Sequence, residues 1–215
     1  MMKTFDQWDI DDLEQAFSLE RVSDLPTLET WLSADFPMND VERTIIAALQ
    51  ENLAAEIDLW NEDELKFKFI APFVNLVRYD TPYFHTFTQR TLSATVGDVQ
   101  MSGRVDFMVA TGKSKPVRPF FFLHEYKKTF APNNNPLAQL LAEMITAQEL
   151  NTIPHPLYGS YIVGRSWFFV VLEGRKYAVS EAFLATSDDI IKVISILKAA
   201  KADFMRFSEK THTFQ

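Results

Sequence analysis

The chain of 215 residues has no cysteine, which removes disulfides, zinc–thiolate sites, iron–sulfur clusters and thiol nucleophiles together and fits a reducing compartment. Glycine is scarce, at six residues, and there is no biased tract, so collagen-like and low-complexity architectures are excluded. No apolar run approaches the ~18 residues needed to cross a bilayer. Residues 1–5 carry no apolar signal region, and the resulting expectation is a soluble, cytoplasmic protein without membrane association. G-x-G-x-x-G, Walker, G-x-S-x-G and H-E-x-x-H motifs are all missing, which removes the commonest nucleotide-binding, serine-hydrolase and zinc-protease readings. Positive charge is also short: 21 Lys and Arg against 29 Asp and Glu leave a net charge of −8, too acidic for a uniform basic coat over nucleic acid.

What is present is apolar bulk, 47% of residues with 19 Phe among them, enough for one good-sized core. Charge is graded along the chain. Residues 1–65 hold 3 basic and 17 acidic residues (−14), residues 66–128 hold 10 and 4 (+6), and residues 129–215 hold 8 of each. An acidic first third beside a locally basic middle fits a masking segment next to an anion-binding one; the expected organisation is an acidic helical extension over 1–58 and a second unit over 59–215, with no linker that forces the boundary.

Periodicity fills in the elements. Residues 6–36 read as short helices starting at Asp11 or Asp12 and at Pro26. A longer helix follows from Asn39-Asp40, and another is capped by Asn61, with Pro72 predicting a kink or early stop near Ala71. Strands are expected at 91–96, 99–110 and 120–127, with 80–90 as a connection. Asn133-Asn134-Asn135-Pro136 announces a helix over 137–150. Strands at 158–163, 167–172 and 177–180 follow, and a final helix is capped by Ser187-Asp188-Asp189. The order is helix, three-strand meander, helix, strands, helix, which makes the fold class α/β.

The chemistry concentrates at the end of the third strand of the meander. Phe120-Phe121-Phe122-Leu123-His124-Glu125-Tyr126-Lys127 is an apolar run ending in a carboxylate and an ammonium on one face. A hairpin register with residue sums of 231 sets Asp106 opposite Glu125 and Arg104 opposite Lys127. Two converging carboxylates beside a lysine suit Mg²⁺, with Mn²⁺ as a substitute, and metal-assisted attack on a phosphodiester. His124 points to the other face.

Element order and these residues resemble the PD-(D/E)XK (restriction-endonuclease-like) nuclease superfamily over about residues 60–172. The resemblance implies a Mg²⁺-dependent nuclease. Asp106 and Glu125 would be its metal-binding carboxylates and Lys127 its catalytic lysine, with Val105 where the family often has Pro. It further implies an acidic residue on the first core helix, best matched by Glu62 and next by Glu64, and places Gln139 beside the site. Nucleic acid, DNA first, is the implied partner. Some members of the superfamily keep the fold as non-catalytic modules for binding protein or nucleic acid, which is the alternative expectation.

Overall fold

The computed structural model describes residues 2–129 and 135–212. Asn133 and Asn134, read above as part of a helix start, lie outside the described residues. A nine-stranded mixed sheet is covered by helices on both faces. In chain order the elements are β1 (Met2–Thr4), α1 (Ile10–Phe17), β2 (Glu20–Arg21), α2 (Pro26–Leu32), α3 (Asp40–Glu56), α4 (Glu62–Leu65), α5 (Ala71–Asn75), β3 (His85–Val96), β4 (Val99–Thr111), β5 (Val117–Lys127), α6 (Pro136–Leu150), β6 (Leu157–Val163), β7 (Ser166–Glu173), β8 (Lys176–Val179), β9 (Phe183–Leu184) and α7 (Asp189–His212). None of the helices among the described residues is long and apolar enough to cross a membrane.

The middle of the sheet is an antiparallel meander. β3 pairs with β4 and β4 with β5, after which β6 joins parallel to β5 through the α6 crossover. Gly97, in the left-handed region at φ +57°, makes the two-residue turn between β3 and β4 that a larger residue would strain. The expected register sum of 231 holds for Phe107–His124, Met108–Leu123 and Val109–Phe122, and the ladder shifts only beyond, toward the 112–116 turn.

Residues 1–58 do more than form helices. β1 adds parallel to β4 and β2 parallel to β8, while Leu25, Leu28 and Trp31 enter the core. The short strands escape sequence reading because each is only two or three residues long and has no room to show a period. The first helix is capped by Asp9, whose side chain accepts from the Asp12 N–H, and not by Asp11 or Asp12.

The helix does not stop at Pro72, but its regularity is broken in the turn just before Ala71. A π turn (Lys66–Ile70) joins α4 to α5, with the Ala71 N–H reaching Lys66 O. Proline lacks the donor that an ordinary turn would direct to residue 68, and the wider turn avoids that clash. It also sets Lys66 at the start of the irregular turn, where its side chain reaches the sheet. β3 begins at His85, so most of the expected 80–90 connection is strand.

Two apolar layers flank the sheet. One gathers α2, α3, α5 and α7 around Phe122, Tyr126 and Trp167; the other packs α1 and α6 against Met108, Leu123 and Tyr161. α6 lies close to β6 because Gly159 has no side chain there: a Cβ would stand 2.9 Å from Met144 Sδ.

Candidate active site

Asp106, Glu125, Lys127, Glu62 and Gln139 come from four elements. Asp106 is on β4, and Glu125 and Lys127 are on the C-terminal end of β5, facing α6 with Leu123. α4 brings Glu62 and α6 brings Gln139.

Asp106 is held by three donors. Oδ1 accepts from Lys66 Nζ at 3.0 Å and from Gln89 Nε2 at 2.6 Å, and Oδ2 accepts from the Tyr126 N–H at 3.2 Å. Lys66 also binds Glu62 Oε1 at 2.7 Å, so one ammonium bridges the two carboxylates. Burial works against the Lys66 charge, but Glu62 and Asp106 outweigh it and hold the ammonium above its ordinary value.

Glu125 is 1% exposed. Lys127 Nζ stands 2.5 Å from its Oε1, yet neither oxygen receives an aligned hydrogen bond. Burial first, then the nearby Asp106 charge, pushes its carboxyl up to about 7. Lys127 is raised in turn, its burial outweighed by Glu125.

Two expected members stand differently. Glu64 caps its own helix: Oε2 accepts from the Asn61 N–H at 2.8 Å and Oε1 faces Lys68 at 3.4 Å, so it is not brought to Asp106. Arg104, placed by the register opposite Lys127, is exposed and lies across β3 from Thr91, because the β4–β5 ladder ends at Phe107–His124. Lys66 supplies the second cation instead.

Sequence reasoning missed Lys66, Gln89 and Glu143. Lys66 was legible as the i+4 partner of Glu62 on a helix capped by Asn61. Gln89 fell in the supposed connection; it lies between the Thr88–Phe107 and Arg90–Val105 pairs of β3 and β4 and adopts φ +53°, a left-handed conformation rare for a non-glycine residue in a strand. Glu143 is fully buried on α6 and accepts from Gln139 Nε2 at 3.4 Å, while its Oε2 has no hydrogen-bond donor. Burial, then Glu125 and Asp106, push its carboxyl well above the usual range. Its signal was a lone charge among Leu140, Leu141, Ala142, Met144 and Ile145.

These donors fit a hard divalent cation. Among the described residues Lys66 pairs with Glu62 and Asp106 and Lys127 with Glu125, while Glu143, whose carboxyl burial pushes well above the usual range, has no cation beside it. Three buried carboxylate oxygens of this cluster have no donor aligned on them. Among the described residues no three carboxylate or imidazole groups already stand together at coordinating distance; the lysines hold Asp106 and Glu125.

The opposite face of β5 carries His124, which contacts Ser160 Oγ through Nδ1 and is ringed by Phe107, Phe122, Tyr126 and Trp167. Burial pushes its pKa well below the usual value, leaving a neutral core imidazole. Compared with known proteins, the chain matches no family model, and no curated protein matches its sequence.

Proposed function

We propose that this protein hydrolyses phosphodiester bonds in nucleic acid, with DNA as the first expected substrate. Asp106 and Glu125 would hold Mg²⁺ or Mn²⁺. The observation that carries the reading is Glu125, a carboxylate buried beside Asp106 whose one cationic partner among the described residues is Lys127. Burial and the Asp106 charge still outweigh Lys127, so the pair of carboxylates costs free energy unless further positive charge joins it. The element order supports the same reading: residues 62–75 helical, the β3–β4–β5 meander, α6 and the parallel β6 follow the order of a restriction-endonuclease-like core.

When bound, the metal supplies a water of lowered pKa and Lewis-acid stabilisation of the phosphate oxygens. The chain's own groups do the positioning. Lys127, kept charged by Glu125, would orient the attacking water and face the negative charge developing on the phosphoryl oxygens. Lys66, Gln89 and the Tyr126 N–H fix the rotamer of Asp106. Glu62 acts through Lys66, and Gln139 through Glu143.

The test is cleavage of single- and double-stranded DNA and RNA with Mg²⁺ or Mn²⁺. Asp106→Ala and Lys127→Ala are each expected to lower the rate by roughly a thousandfold or more, the scale of several kcal/mol of charge stabilisation, without loss of fold. Retained cleavage in both variants would overturn the assignment. A second reading has its own observation: Lys66 already pairs with Asp106, and Lys127 with Glu125. A non-catalytic binding module on the same fold would keep the charges matched in this way and would bind no metal at Asp106 and Glu125.

A further inference from the structure

A cavity of about 840 Å³, lined by none of the candidate-site residues, opens between the start of α3, the segment after α5 and the second half of α7. The volume falls in the ~300–1,000 Å³ range of small-molecule sites. Its wall is apolar for the most part, with Val41, Ile45, Leu76 and Met205 beside Phe36. Val41 and Ile45, one turn apart on α3, are 68% and 39% exposed, so the cavity leaves large apolar side chains in water.

The charged lining is cationic in a protein of net charge −8. Arg78, Lys198 and Lys201 meet there, against Asp40 and Glu42. Glu42 is taken up by Lys198 at 2.8 Å and by the Asn39 N–H at 3.1 Å, as the capping box of α3. Lys201 Nζ has a backbone partner, Val77 O at 3.1 Å. The Arg78 guanidinium makes no hydrogen bond or ion pair among the described residues, although Arg78 holds the left-handed φ of +55° just past α5, where glycine or asparagine is the ordinary occupant. Lys201 is held below its usual pKa by burial, then by Arg78 and Lys198, so these cations crowd one another without enough negative charge between them. The lining is one positive charge in excess, beside exposed aliphatic surface.

We propose that this cavity binds a small amphipathic anion, a single carboxylate or phosphate head on an aliphatic body. The head would meet Arg78 and Lys201, and the body would lie over Val41, Ile45 and Met205. Arg78 suits the role because its planar fork matches carboxylate and phosphate oxygens two at a time. A nucleobase is a poorer fit, since Phe36 is the one aromatic side chain in the lining.

The experiment is calorimetric titration of octanoate, octyl phosphate and octylammonium into the full chain, with Arg78→Asn and Lys201→Met as variants. Asparagine accepts the left-handed backbone, so Arg78→Asn is expected to melt no lower than the parent and separates loss of binding from loss of fold. Octanoate or octyl phosphate is expected to bind saturably at one site, octylammonium not at all, and each variant to weaken the anion by about tenfold or more, as loss of a hydrogen bond to a charged group does. The better of the two heads identifies the ligand's source. Absence of saturable anion binding, equal binding of octylammonium, or unchanged affinity in Arg78→Asn would overturn the proposal. None of these results depends on metal binding or cleavage at Asp106 and Glu125.

Discussion

Strand β5 buries both of its faces, and neighbouring residues on it carry opposite kinds of polar group. On one face His124 lies among aromatic rings with Ser160 as a partner, and burial keeps it neutral. On the other face Glu125 is as deeply buried, without an aligned hydrogen bond, beside another carboxylate. A neutral imidazole in an aromatic cage costs little and serves packing. A carboxylate in the same depth of protein is expensive, and stability alone does not explain keeping it. The difference between the faces separates burial that serves packing from burial that costs stability, and the proposed cation site would account for the second.

The sharpest way to break this comparison is to remove matter from the packed face. Phe122 is fully buried, its ring 4.2 Å from His124 and 6.0 Å from both Trp31 and Tyr79. Phe122→Ala is expected to cost about 3–5 kcal/mol, a fall of roughly 10 °C in melting temperature for a chain of this size. A loss under about 1 kcal/mol by chemical denaturation would show that this face is not the packed one.

On the other face, neutralisation should stabilise. The Glu125 carboxyl is raised to about 7 in the folded state from 4.5. The folded protein therefore binds the proton more tightly than the unfolded chain, and stability intact below about pH 4.5 is lost as pH climbs through 7. At pH 8 the cost is on the order of 3 kcal/mol. Glu125→Gln, neutral at every pH, is expected to melt above the parent at pH 8 in metal-free buffer, with the gap closing by pH 4.5. A variant less stable than the parent at pH 8 would show that the Lys127 contact outweighs the burial.

Gln89 gives the smallest effect. Glycine relieves the left-handed backbone at φ +53° but adds freedom to the unfolded chain, so Gln89→Gly should change stability by no more than about 1 kcal/mol. Loss of its 2.6 Å hydrogen bond leaves Asp106 less firmly held, and cleavage should fall by roughly tenfold. An unchanged rate would remove Gln89 from the positioning set.

Much of this site was legible because strand alternation and hairpin register are short-range rules. The apolar run 120–123 fixes which face Glu125 takes, and the 231 register carries the ladder to Phe107–His124, next to Asp106 and Glu125. Asn39, Asn61 and Ser187 were readable as caps because a side-chain acceptor must satisfy the first free N–H groups. What escaped depends on contacts between elements distant in sequence. Lys66 reaches Asp106 across 40 positions, and only the π turn before Pro72 shows how it does so. Gln89 escaped because polar Thr86, Thr88 and Gln89 hide a strand whose partners bury only part of it. Glu143 lay in plain view within an apolar helix, but the faces of such a helix are distinguished by the sheet they pack on and not by its own period.

The proposed function stands on a cation site at Asp106 and Glu125. Its most direct test is calorimetric titration of Mg²⁺ and Mn²⁺ into the parent chain and the Asp106→Ala, Glu125→Ala double variant, with and without a DNA oligonucleotide. The account predicts saturable binding to the parent and none to the double variant. No binding to the parent even with nucleic acid present, or equal binding to both chains, would contradict it.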